Sequence, residues 1–470
     1  DSNHIVMAHV CLSFGVIYGI RGEYYESRQN LENALEIYKQ YNSGLHRGVD
    51  ITLNHIGEIC SCTNEYKKSL LFFTQALQVR EKVLGIDHPS IGDILHNLGG
   101  VNARLGRFPE AVACYERVLD IKHETYDSED LYLAQTLNNV GIIYARLGQF
   151  DLATERLKKA LRIRIRYEQD SDDVASTLYN LGNVHSSTKT YELAAKCYDE
   201  TLRIRRRLFG DTHPSVAKAL HNLGALYEED RKYSKAKFYF DEALKVKHLF
   251  LDPTSLSIAV TLVRVGNVHL STGDYDKALT CFNQAVKAQK KHHGPDHVSV
   301  AKTYMKIGTT RKLTGNVDLA IMSFEESLRI LQEFGDETVE DDMANALYML
   351  GNLHDTQGDH EDAFVHYGNA YQIYKRSDAP NQNREKVTIA IRRYLSGAQG
   401  TAGMTETIII TGDCLLGVER SLLYYVQMLS NFLLGDVSTY RQLGEQAVLS
   451  YKDQDQYQTA FYDTGCLIEC

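Results

Sequence analysis

Apolar residues along this 470-residue chain recur with the period of a helix, not with the alternation of a strand. Leu137, Val140, Gly141 and Tyr144 stand at i, i+3, i+4 and i+7, which is one face of a helix. Leu95, Leu98, Gly99 and Asn102 repeat that pattern, as do Leu220, Leu223, Gly224 and Tyr227. A second kind of helix carries small, large and small residues at i, i+4 and i+7, as in Ala153, Leu157 and Ala160 or Ala236, Phe240 and Ala243. Polar positions fill the remaining faces. The two kinds alternate, so the chain reads as a succession of helix pairs.

The pairs form a repeat. Aligned on one anchor glycine they place Gly15, Gly57, Gly99, Gly141, Gly182, Gly224, Gly266, Gly308 and Gly351 at spacings of 42, 42, 42, 41, 42, 42, 42 and 43. A break follows seven residues after the anchor, at Gly22, Gly106, Gly148, Gly273, Gly315 and Gly358, where a left-handed glycine ends the first helix. Each pair is a hairpin whose apolar face is too large to bury alone, and stacking the hairpins buries it. Of the nine units, the eighth is loose, with Arg311 and Val317 where aromatics are usual. Between units, linkers such as REKVLGIDHPS (80–90) and RRLFGDTHPS (206–215) place Asp87 and Asp211 to cap the next helix and Pro89 and Pro214 in its first turn.

These residues resemble the tetratricopeptide-repeat (TPR) signature over about residues 5–376. The long 42-residue period, the linkers and helix starts such as LHNLG and LNNVG resemble the type found in kinesin light chains. The resemblance implies an all-α, right-handed α-α superhelix, a TPR solenoid of nine hairpins. No long heptad region of the kind that would bind a kinesin heavy chain is present. After residue 376 the pattern fades. Residues 377–404 read as a linker with a short helix, and 405–470 as a degenerate helical hairpin or cap covering the last apolar face.

Composition narrows the function. A net charge of -10 opposes generic binding to nucleic acid or acidic membranes, which need a positive field. Nine scattered cysteines give no disulfide framework and point to a reduced, cytoplasmic protein. No run reaches the ~18 apolar residues of a membrane helix, and the apolar opening lacks the basic leader of a signal peptide. The chain opens on Asp1 in place of Met, which predicts a fragment of a longer protein.

The resemblance also locates the candidate site. TPR arrays take extended peptides in a groove lined by the first helix of each hairpin, at six before, two before, one after and five after the anchor glycine. Those positions hold Asp93, Asn97, Gly100 and Arg104 in unit three, and Gln135, Asn139, Ile142 and Arg146 in unit four. Unit five gives Ser176, Asn180, Asn183 and Ser187, and unit six Lys218, Asn222, Ala225 and Glu229, while His55 holds the second position in unit two. Asn97, Asn139, Asn180 and Asn222 thus form a column. A side-chain amide both donates and accepts, so such a column suits a peptide backbone whatever its side chains. It equally suits bonds to the neighbouring helix that tie units together. Arg104 and Arg146, with Lys158, Lys159, Arg162, Arg164 and Arg166, favour acidic peptides. The runs RIRIR (162–166) and RIRRR (203–207) also fit a solvated helix end, where cations suit the dipole.

The expected function is therefore a scaffold or adaptor that binds short acidic protein segments. The rival is a regulatory or sensor arm of a larger signalling ATPase or protease. Neither needs a cofactor, metal, nucleic acid or small-molecule substrate. No phosphate loop or nucleophile elbow is present, so catalysis is not expected. A carboxylate clamp for chaperone tails lacks its basic partners, since Tyr179, Val263 and Tyr348 stand where they belong.

Overall fold

The computed structural model describes residues 2–40, 46–125, 131–376 and 387. The expected linker and cap at 377–470 therefore lie outside the described residues, apart from Val387. In chain order the helices are α1 (Ser2–Arg21), α2 (Tyr24–Lys39), α3 (Arg47–Cys62), α4 (Tyr66–Leu84), α5 (Ile91–Arg104) and α6 (Phe108–Thr125). They continue with α7 (Leu131–Arg146), α8 (Phe150–Tyr167), α9 (Asp172–Ser187), α10 (Tyr191–Phe209), α11 (Pro214–Glu229) and α12 (Tyr233–Phe250). The last six are α13 (Leu256–Ser271), α14 (Tyr275–His293), α15 (Val298–Leu313), α16 (Val317–Phe334), α17 (Glu340–Gln357) and α18 (His360–Arg376). Consecutive helices pair into hairpins of a first (A) and a second (B) helix, and among the described residues there is no strand. The chain divides into two compact units, Asp1–Val246 and Lys247–Cys470. The first holds the A helices α1 to α11; the second holds α13, α15 and α17.

Each hairpin closes on its anchor glycine. A Cβ on Gly57, Gly182, Gly224 or Gly266 would lie 2.7, 2.6, 2.6 and 2.5 Å from the ring of Phe73, Tyr198, Phe240 and Phe282. The B-helix ring thus lies against bare backbone, and the small residues flanking it let the helices approach. Unit eight, expected to be loose, forms the same hairpin. Arg311 stands in for the missing aromatic by donating to the Leu319 carbonyl (3.1 Å) and Ser323 Oγ (2.8 Å).

The A helices end as expected, on a left-handed residue. Where glycine is absent, Asn64, Lys189 and Arg231 take φ of 61, 58 and 55°. A Cβ there costs about 1–2 kcal/mol, partly offset by glycine's greater freedom in the unfolded chain. Arg231→Gly should therefore stabilise the protein by about 0.5–1 kcal/mol, read as a higher denaturant midpoint. An unchanged or lower midpoint would mean that the Arg231 side chain outweighs its backbone strain.

The linkers differ from expectation. Neither Asp87 nor Asp211 caps a helix: α5 has no side-chain cap at Ser90, Ser171 caps α9, and histidine caps three others. His46, His213 and His297 accept through Nδ1 from the N–H of Gly48 (2.9 Å), Ser215 (3.2 Å) and Ser299 (3.1 Å) at the starts of α3, α11 and α15. Asp211 instead pairs with Arg206 at 2.9 Å. An imidazole can also stack on the end of the preceding helix, as His213 does on Phe209 with centroids 4.5 Å apart, which a carboxylate cannot. Pro214 opens α11, as expected.

The helix α1 corrects a second expectation. Its segment His4–Arg21 is long and apolar enough to cross a membrane, with a mean hydropathy of 1.4. His4, His9, Ser13, Gly15 and Gly19 interrupt the run, but Ile, Val, Leu and Phe keep its mean high.

Candidate functional site

The predicted groove residues lie on the A helices of the first unit. Asp93, Arg104, Gln135, Arg146 and Lys218 are exposed, and His55, Asn97, Asn139, Asn180, Asn183 and Asn222 are half-buried. Asn97, Arg104 and Asn139 come together in a concave cleft of about 300 Å³ across α3, α5 and α7. Glu58, His96 and Tyr115 also line it. Asp93, Gln135, Arg104 and Arg146 form no ion pair or hydrogen bond among the described residues. The last two therefore leave uncompensated cations near the ends of α5 and α7.

The asparagine column has one consistent geometry. Each amide nitrogen reaches back to the residue three before the anchor glycine of the preceding hairpin. Asn97 Nδ2 meets Asn54 Oδ1 at 3.3 Å, Asn139 Nδ2 meets His96 Nε2 at 3.4 Å, and Asn180 Nδ2 donates to Asn138 Oδ1 at 3.1 Å. Asn222 Nδ2 donates to Tyr179 OH at 2.7 Å. Two of them add a bond to the residue just after that anchor: Asn97 to Glu58 at 3.3 Å and Asn222 to Asn183 Oδ1 at 3.1 Å. A carboxylate only accepts, so Glu58 fixes which end of the Asn97 amide faces it. The column is thus a tie between hairpins, as one of the two expectations held. It also leaves the four Oδ1 atoms without a hydrogen bond among the described residues. The partner column, Asn54, His96, Asn138 and Tyr179, escaped the sequence reading although its members share one register.

Glu58 adds a carboxylate to the lining of the cleft, opposite in sign to Arg104. Burial by itself would raise its pKa, but hydrogen bonds from His55 (2.9 Å), Asn54 (2.8 Å) and Asn97 lower it below the usual carboxylate value. Tyr115 is pushed the other way by burial, up to about 12, although Asn139 bonded to it opposes the rise. Around Tyr179 a second cluster gathers Asn180's neighbours. Tyr198 OH donates to Asn183 Oδ1 at 2.7 Å, and Lys218 Nζ lies 4.9 Å from the Tyr179 ring centroid. Asn183 therefore spends its oxygen inside the fold.

The basic runs divide by helical phase. Arg164 and Arg205 are buried, whereas Arg162, Arg166, Arg203 and Arg207 are exposed. Arg164 donates to the Asp173 carbonyl (2.9 Å) and Thr177 Oγ1 (2.6 Å) of the next A helix. Arg205 reaches Asp172 and Ser176 Oγ, both at 3.2 Å. Arg80 pairs with Asp50 and with the Ser90 carbonyl (2.7 Å). These are structural cross-links, so Arg164 adds no charge to the groove and neither run is wholly a solvated helix end. Among the described residues no cluster of His, Cys, Asp or Glu could hold a metal ion.

Comparison with known proteins matches this geometry. Models of the tetratricopeptide repeat match residues 10–82, 90–166, 173–247 and 257–333, and a second such model matches 343–377. No curated protein matches the chain. Among solved structures, the apo form of RapI is 14% identical with a TM-score of 0.57, covering 78% of this chain and 98% of RapI. The apo form of the quorum sensor NprR from B. thuringiensis is 16% identical with a TM-score of 0.53, covering 76% of this chain and 99% of NprR. The nearly identical TPR-like repeats of a Podosopora anserina protein designated a kinesin light chain are 18% identical, with a TM-score of 0.40, covering 43% of this chain and 96% of that one. At these identities the likeness is one of fold.

Proposed function

The chain belongs to the tetratricopeptide-repeat family, and we propose that it is an adaptor whose first unit holds extended acidic protein segments along α5 to α11. The observation that carries this is the pair of uncompensated cations at the same register of consecutive hairpins, Arg104 lining the cleft and Arg146 one hairpin on. Peptide N–H groups would meet the free Oδ1 atoms of Asn97, Asn139, Asn180 and Asn222, while carboxylates pair with the two arginines. His55, Asp93, Gln135, Asn183 and Lys218 flank that path. Packed helices lie roughly 8–10 Å apart, and an extended chain advances about 3.3 Å per residue. Alternate side chains of an extended chain share a face, so carboxylates two residues apart, about 6.6 Å along the chain, can both turn toward Arg104 and Arg146.

The test uses the absence of Trp from the protein. Acidic peptides carrying one Trp are selected from a library and titrated by fluorescence against the protein and an Arg104→Glu/Arg146→Glu variant. Both arginines are exposed, so the variant should melt like the parent. Affinity for acidic peptides should fall at least ~10-fold, as expected for one charge-assisted contact or more, and the parent's binding should weaken with salt. Equal binding by the variant would remove the acidic-segment reading. Asn→Ala variants are a poorer probe, because each also cuts a tie between hairpins.

A further inference from the structure

Arg104 shares its cleft with a carboxylate that acidic segments leave unused. Glu58 stands one residue after the anchor glycine of α3. The same position holds Val16, Gly100, Ile142, Asn183 and Ala225 in the other A helices of the first unit, so Glu58 is the one charge in that register. Gly100 makes room beside it. A Cβ on Gly100 would meet Tyr115 OH alone across the hairpin, at an ordinary contact distance of 3.6 Å. The neighbouring hairpins fill this place with Glu58 and Ile142, and the space between them is the cleft of about 300 Å³.

The amides and the carboxylate of the lining offer acceptors. Asn97 Nδ2 is spent on Asn54 and Glu58, and Asn139 Nδ2 faces His96 Nε2. Asn97 Oδ1 and Asn139 Oδ1 keep their lone pairs. Glu58 Oε1 takes Asn54 Nδ2 (2.8 Å) and Asn97 Nδ2 (3.3 Å), whereas Oε2 takes His55 Nδ1 alone (2.9 Å). A carboxylate has about four lone-pair sites, so Oε2 has one left for a ligand, and the Glu58 side chain is 42% exposed. These acceptors call for a group that is rich in donors and positive in charge. An apolar side chain would cover them dry and forfeit their bonds to water. Arg104, the cation in the lining, is answered by a carboxylate of the segment itself.

Given the adaptor reading, on which this rests, we propose that the cleft selects segments of mixed charge: a cationic group, ammonium or guanidinium, sits against Glu58, Asn97 and Asn139, and neighbouring carboxylates pair with Arg104 and Arg146. Glu58 belongs to the hairpin before Arg104, and Arg104 to the hairpin before Arg146. The charges therefore run cation, carboxylate, carboxylate along the groove. A cation two residues from the nearer carboxylate shares its face of the extended chain. Glu58 is then a specificity-determining residue, because a segment acidic throughout would bring like charges together there.

The test uses the tightest acidic Trp peptide from the library. It is remade with Lys, acetyl-lysine or Glu two residues before its first carboxylate or two after its last, since the segment can run either way. Each peptide is made with a free and an acetylated N-terminus. Titrations are run on the parent, Glu58→Gln, Asp151→Asn and Arg104→Glu/Arg146→Glu. At one of the two placements the parent should bind the Lys peptide at least ~10-fold more tightly than the acetyl-lysine peptide, as for one charge-assisted bond, and the Glu peptide least. Glu58→Gln should erase that preference. It keeps the length of the side chain and an acceptor for Asn97, so melting should not change. Asp151→Asn removes the same charge from an exposed position outside the cleft and should keep the preference. A preference that follows the free N-terminus in place of Lys, and is lost in Glu58→Gln, assigns the ammonium to the chain end. Equal binding of the Lys and acetyl-lysine peptides, with no effect of N-terminal acetylation, overturns the proposal. So does a preference that survives Glu58→Gln. In either case a loss of binding in the arginine variant leaves the acidic-segment reading standing, so the two fail separately. A library that yields no binder removes both.

Discussion

Gly224→Ala destabilises the protein by about 1–3 kcal/mol, as overpacking of a filled core does, and in a Phe240→Ala background the same change costs nothing. A Cβ on Gly224 would stand 2.6 Å from Phe240 Cδ1, and the ring is fully buried with no route of retreat. Phe240→Ala alone should cost about 3–5 kcal/mol through the cavity it leaves. Once the ring is gone, the methyl group added by Gly224→Ala enters that cavity and gains the helix propensity that glycine lacks, about 1 kcal/mol. The double variant should therefore be no less stable than Phe240→Ala, and by up to ~1 kcal/mol more stable. Denaturant midpoints of the four proteins close the cycle. Additive costs would mean that Gly224 is needed for its backbone freedom and not for the ring it admits. The result extends to the other hairpins, because Gly182 with Tyr198 and Gly266 with Phe282 repeat the contact.

That contact was legible in the sequence because both of its halves recur every 42 residues. A glycine and a large residue sixteen positions apart mark each hairpin without any knowledge of the fold. The left-handed helix ends were legible for the same reason, and Asn64, Lys189 and Arg231 keep the conformation after losing the glycine. The site was legible only in part. Residue positions on the A helices follow from helical phase, but the destination of a side-chain amide depends on a residue one repeat away. Only a reading that paired Asn97 with Asn54, and Asn222 with Tyr179, would have found the tie. The buried arginines were within reach. Ala153, Leu157 and Ala160 continue at the same phase to Arg164, and Ala194, Tyr198 and Thr201 continue to Arg205. Treating RIRIR as one charged run hid the member that lies on the buried stripe. Histidine capping was hidden for a different reason: a neutral imidazole nitrogen is an acceptor that helix-start preferences rank below Asp and Ser.

The buried stripe also carries the one cation in this series that can lose its proton near neutrality. Lys247 stands at the phase of Arg164 and Arg205 and is buried, donating to the Ser257 carbonyl (2.9 Å) and Thr261 Oγ1 (2.7 Å). Burial without a carboxylate partner pulls its pKa down to about 8, whereas an unfolded lysine titrates near 10.4. Between those values the unfolded chain binds more protons than the folded one, so stability rises as pH rises. At about 1.36 kcal/mol per pH unit, the gain from pH 8 to pH 10 is about 2 kcal/mol. An arginine at this position could not respond, since it holds its proton throughout. Lys247→Gln copies the next hairpin, where Gln289 accepts from Thr303 Oγ1 at 2.9 Å, and should remove the response. Other lysines and tyrosines titrate over the same range, so the quantity to measure is the difference between parent and variant in denaturant midpoint at pH 8 and at pH 10. The parent should gain on the variant by about 2 kcal/mol over that interval. A constant difference would mean that Lys247 keeps its charge in the fold, held by its two acceptors and the helix end as firmly as Arg164 and Arg205 are held.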